Sequence, residues 1–116
     1  STGIIIRVSG VRVPAPPQKM IIYEVNILIP KSIYRNYLIW LKIHMEEMLA
    51  FDGFIESKSY LIKTKDTTDK ELCVHYYIES MKHYDSYLIN NAKKMRSNKF
   101  ADKINIKRRL LALNDL

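Results

Sequence analysis

The amino-acid sequence predicts one α+β domain over residues 20–116, in which two strand–helix–strand units share a four-stranded antiparallel sheet. Three observations carry this reading. Four segments have the composition and period of strands, and two repeat their apolar residues at three- and four-residue steps. They follow one another as strand, helix, strand, strand, helix, strand. The length of 116 residues suits a single core and is too short for two.

The first strand is residues 20–30, with Tyr23, Val25, Ile27 and Ile29 on one face and Glu24 and Asn26 on the other. Pro30 ends it, because proline has no amide to donate to a sheet ladder. A helix then opens at Lys31 or Ser32 and runs to Leu49. Its stripe is Ile33, Tyr37, Trp40, Leu41, His44 and Met48. Asp52-Gly53 supplies the stop, since glycine accepts the left-handed conformation of a helix cap.

The second strand covers residues 54–63, and a polar connection at 64–70 leads to the third. Setting Phe54 on the outer face places Lys58 and Tyr60 there too. The third strand, 71–79, turns Leu72, Val74, Tyr76 and Ile78 one way and Cys73, His75, Tyr77 and Glu79 the other. Ser80 caps a second helix from Met81 to Ser97, with Tyr84, Tyr87, Leu88, Ala92 and Met95 as its stripe. The last strand, 104–112, sorts Ile104, Ile106, Arg108 and Leu110 from Asn105, Lys107, Arg109 and Leu111. This is the ferredoxin-like βαββαβ pattern with two helices on one sheet face.

Composition limits the function. A hydrophobic fraction of 47% and a charged fraction of 27% describe an ordinary folded domain. No apolar run approaches the roughly 18–20 residues of a membrane span. Arg7 cuts short the apolar patch at Ile4–Ile6, so a signal peptide is not indicated. One cysteine, Cys73, excludes an internal disulfide and a four-cysteine metal cage. A reducing cytoplasm is the simplest location. The net charge is +7, but residues 1–19 supply three bases and no acid. Residues 20–116 therefore hold 16 bases against 12 acids, a modest excess that is no nucleic-acid footprint by itself.

Residues 1–19 differ in composition from the remainder of the chain. They hold three of four prolines and two of three glycines, whereas the rest is rich in Ile, Lys, Asn and Tyr. Val11-Arg12-Val13-Pro14 can be encoded by the T-loop consensus of a transfer RNA, and Pro16-Pro17 by its CCA end. We expect a reading frame extended through a neighbouring transfer-RNA gene, with Met20 as the native start. A natural proline-rich arm is the alternative.

The uncovered sheet face would present Glu24, Asn26, Cys73, His75, Tyr77, Asn105, Lys107 and Arg109. Such a mixture is too apolar for bare solvent and too polar for a core, so it calls for a second subunit or a ligand. Asn26, His75, Tyr77, Lys107 and Arg109 form the candidate ligand or interface set, combining hydrogen-bonding groups with fixed cations. His44 and Glu47 stand three apart on a helix, but two ligands do not complete a zinc site, and His44 reads as packed near Trp40. Cys73 and His75 share a face, yet nothing orients them for nucleophilic work, and Cys73 reads as a small buried group. No metal and no cofactor is expected. Gly53 is the sole glycine beyond Gly10, which rules out a glycine-rich phosphate cradle.

Several runs are similar to one bacterial family of short uncharacterised proteins. They are Tyr23-Glu24-Val25-Asn26, Trp40-Leu41 with His44, Glu47 through Phe54, and Val74-His75-Tyr76 leading to Glu79-Ser80. Tyr84, Tyr87, Ala92 and Arg108-Arg109 complete the pattern, which resembles the domain of unknown function 4286 over Met20 to Leu113. The resemblance implies a ferredoxin-like fold similar to dimeric α/β-barrel proteins and brings no established activity. Asn91 stands where many relatives have histidine, which removes a proton-transfer role there.

The function expected is a homodimeric α/β-barrel domain that binds a small anionic ligand or a partner through the open face. The alternative is a cofactor-independent enzyme of monooxygenase or isomerase type using His75, Tyr77 or Arg109. RNA binding is a minor third reading, because the first strand offers Glu24 and Asn26 where base-stacking aromatics would be needed.

Overall fold

The computed structural model describes residues 5–8, 11–14, 19–63, 68–114 and 116. Two short strands, β1 (Ile5–Val8) and β2 (Val11–Pro14), pair antiparallel with each other. The reading of residues 9–17 as foreign otherwise falls outside the described residues, as does the 64–67 part of the polar connection.

The domain keeps the predicted order. β3 (Ile21–Pro30) leads through one 3-10 turn (Lys31–Ile33) into α1 (Tyr34–Met48). Then come β4 (Phe54–Leu61), β5 (Asp69–Ile78), α2 (Met81–Asn90), α3 (Ala92–Arg96) and β6 (Asn105–Ala112). The sheet order is β4-β5-β3-β6, with every neighbouring pair antiparallel. The ferredoxin-like βαββαβ fold is therefore present as predicted.

Alternation explains the layering. Tyr23, Val25, Ile27 and Ile29 of β3 and Leu72, Val74, Tyr76 and Ile78 of β5 are buried. They pack against Tyr37, Leu41 and Met48 of α1 and Tyr84, Tyr87 and Ala92 from the second helical region. The core is unusually aromatic. Tyr23 meets Tyr76, Tyr84 and Tyr87 at centroid distances of 5.8, 5.0 and 6.1 Å, a spacing that adds to simple area burial.

Turn chemistry is as the sequence indicates. Gly53 adopts φ +82° after α1, and Ser80 accepts the His83 amide to cap α2. The expected second helix is broken, however. Asn91 has φ −133° and ψ −23°, so α2 ends and α3 starts afresh, consistent with a residue of poor helix propensity. Leu88, placed on the buried stripe by spacing, is 38% exposed.

The second strand differs most. Phe54 is not on the outer face; it lies in the core at 6% exposure. An irregularity between Phe54 and Glu56 leaves Ile55 unpaired, and Glu56, Lys58 and Tyr60 then stand opposite Tyr77, His75 and Cys73. A bulge adds one residue and so inverts the alternation. Phe54 faces the helices, while Lys58 and Tyr60 face away.

Candidate functional site

The open face is organised by the position of β3 between β5 and β6. Glu24 stands opposite His75 on one side and Arg109 on the other. Its carboxylate accepts hydrogen bonds from Asn26 Nδ2 at 2.8 Å and His75 Nε2 at 2.9 Å. It also accepts one from Arg109 Nε. Its side chain is only 5% exposed although none of the described helices covers this face. The shielding comes from the neighbouring side chains of its own sheet.

Electrostatics reflect this crowding. The Arg109 guanidinium, with further donation from Asn26 and His75, overcomes burial and holds the Glu24 carboxyl at about 2 instead of 4.5. Cys73 Sγ lies 3.3 Å from His75 Nε2. Burial, reinforced by Glu24, pushes this thiol up to about 11, so it remains protonated and unreactive at neutral pH.

Aromatic rings border the network. Tyr60 sets its ring edge-on to His75 at 5.4 Å, and Tyr77 does so at 6.4 Å. Lys58 Nζ lies 5.6 Å from the centre of the Tyr77 ring, within cation–π range. Burial, then hydrogen bonding to Tyr60, raises the Tyr77 phenol above its usual range. Lys107 is opposite Asn26 and makes no ion pair among the described residues. These two line a cavity of about 240 Å³ with Leu28, Glu71 and Asn105.

Of the predicted set, Asn26, His75 and Arg109 meet on one carboxylate, Lys107 lies beside the cavity, and Tyr77 sits at the aromatic edge. Alternation along the first strand puts Glu24 on this face without giving it a role. Yet Glu24 is the centre. Applying the sheet order of the βαββαβ fold to the first strand would have revealed it, because that strand lies between the third and fourth.

Glu24, Cys73 and His75 bring one ligand-type atom each within 4.8 Å of the others. Cysteine, histidine and carboxylate are a set that zinc accepts. Here both carboxylate oxygens are already engaged, one by Arg109 and Asn26 and the other by His75. A cation would have to displace the guanidinium. On the opposite face, His44 stacks on Trp40 at 4.5 Å and 18°, and burial lowers its pKa.

Comparison with solved structures agrees with the ferredoxin-like class. A candidate antibiotic biosynthesis monooxygenase from Bacillus cereus matches with a TM-score of 0.61 and 16% identity, over 84% of this chain and 96% of that one. Protein SO0527 from Shewanella oneidensis matches with a TM-score of 0.59 and 12% identity, over 83% and 92%. A de novo designed protein, Foldit4, matches with a TM-score of 0.54 and 11% identity, over 83% and 100%. At these identities the likeness concerns fold alone. The chain belongs to the family described as a domain of unknown function (DUF4286), whose model matches residues 20–113. No curated protein matches. No helix among the described residues is long and apolar enough to cross a membrane.

Proposed function

We propose that this protein is a non-catalytic homodimeric binding domain whose two open sheet faces pack against each other, with a small anion held at their edge. The observation that carries this reading is Glu24, an ionised carboxylate shielded by one layer of side chains on a face that none of the described helices covers. A second layer would complete its exclusion from water and strengthen each of its hydrogen bonds.

The face is also complementary to itself. Tyr60 and Tyr77 lie toward the β4 side, and Lys107 and Arg109 lie on β6. A two-fold axis parallel to the strands sets the β4 side of one copy over β6 of the other, so that cations meet rings. Tyr60 at 44% and Leu28 at 38% exposure supply apolar area. The 240 Å³ cavity beside Lys107 and Asn26 has space for a small anionic group. The enzyme alternative needs a cavity at His75, whereas the open-face cavity is lined by other residues.

Light-scattering mass combined with native mass spectrometry tests the reading. A dimer is expected, and Arg109→Ala should weaken it while leaving far-UV circular dichroism unchanged. A monomer carrying no ligand would remove the proposal. So would an Arg109→Ala variant with unaltered self-association and ligand content.

A further inference from the structure

The covered face of the sheet contains a second polar feature, independent of the open face. Arg96 leaves α3 and points beneath the sheet, where its Nη2 donates to the Tyr23 hydroxyl at 3.1 Å. Its Nε is buried and has no acceptor. Arg108, which faces the same side from β6, lines the same cleft. Neither guanidinium has a carboxylate within 4.0 Å among the described residues. The Arg96 Nε is a buried donor left open at this cleft, and the exposed Arg108 guanidinium borders it, so an anion there would meet both.

The cleft lies between the helices and the sheet, walled by Tyr23, Tyr37 and the stacked Trp40–His44 pair. Its volume is about 40 Å³, where a single water needs roughly 10–15 Å³. This space fits a flat group of three or four atoms and is too small for a nucleobase or sugar. Burial holds His44 below its ordinary pKa, so the ring contributes as a neutral wall.

We infer that this cleft is a carboxylate-binding site, in which Arg96 Nε and the Arg108 guanidinium take the carboxylate of a small organic acid whose remainder extends outward. A planar carboxylate matches the in-plane donors of a guanidinium. A tetrahedral phosphate is bulkier than a planar carboxylate, and the cleft holds only about 40 Å³. The site is separate from the Glu24 network, which occupies the other sheet face.

Trp40 is the only tryptophan, so its emission reports on the cleft without a label. The wild-type protein would be titrated with sodium acetate, inorganic phosphate and sodium chloride at constant ionic strength. Acetate should give a saturable change, phosphate at least a tenfold weaker one, and chloride none. Arg96→Gln and Arg108→Gln, checked by circular dichroism, should each raise the acetate half-saturation about tenfold, whereas Lys107→Gln should not. An acetate response equal to that of chloride overturns the assignment. Phosphate binding as tightly as acetate, or an unchanged response in folded Arg96→Gln, also overturns it. The wild-type titration decides the matter even where a variant fails to fold.

Discussion

Glu24 and Arg109 face each other across the β3–β6 ladder, and the guanidinium Nε donates to the carboxylate. This contact holds the Glu24 carboxyl at about 2, with consequences for acid stability. A carboxyl whose folded pKa is depressed stabilises the fold fully above its unfolded value, 4.5. That contribution fades as pH falls toward the folded value of about 2. The shift corresponds to an upper limit of about 3 kcal/mol. Solvent screening around the exposed Arg109 reduces it to roughly 1–2 kcal/mol. Urea denaturation of wild type and Glu24→Gln should show the wild-type advantage shrinking across this window. An advantage independent of pH would contradict the assignment.

Gly53 combines two constraints. Its φ of +82° is costly for any residue with a Cβ, and a Cβ there would lie 2.2 Å from His83 Cγ. His83 is not free to move aside at little cost, because its Nδ1 is 2.7 Å from the Ser80 hydroxyl that caps α2. Gly53→Ala should therefore destabilise by about 2–4 kcal/mol, combining backbone strain with partial loss of the cap. The midpoint of urea denaturation measures this. A loss below about 0.5 kcal/mol, the range of ordinary surface changes, would show that the turn relaxes.

Residues 1–19 should be dispensable. β1 and β2 pair with each other and not with the four-stranded sheet, and the family match begins at residue 20. A chain starting at Met20 is expected to melt within experimental error of the longer one. The expected start at Met20 also makes a genetic prediction. DNA over codons 9–17 should fold as a transfer-RNA T-arm, and DNA without that pairing would dismiss the idea.

The order of elements is legible in the sequence because β3 and β5 alternate cleanly and because Gly53 and Ser80 punctuate their turns. Periodicity cannot detect a residue that leaves the ladder, so it assigns Phe54 to the wrong face while assigning Lys58 and Tyr60 to the right one. The break at Asn91 is hidden for a similar reason, since Tyr84, Leu88, Ala92 and Met95 keep three- and four-residue spacing across it. The predicted site residues share a face as the alternation requires. What alternation cannot supply is their ranking. Glu24 reads from sequence as one polar residue among several, and only its two strand neighbours make it the centre.

The bulge at Ile55 yields the sharpest contrast between composition and backbone. Ile55 is 49% exposed, so Ile55→Ala should cost less than about 1 kcal/mol. Deleting Ile55 makes Phe54 and Glu56 neighbours, and a regular ladder then sets them opposite Ile78 and Tyr77 on the two faces they already occupy. Phe54 stays against the helices, and Lys58 and Tyr60 stay on the open face. The deletion, like Ile55→Ala, is therefore expected to retain cooperative unfolding and the near-ultraviolet aromatic signal. A deletion variant that loses cooperative melting would show that Ile55 is not the extra residue, and the assignment of Tyr60 to the Glu24 face would fall with it.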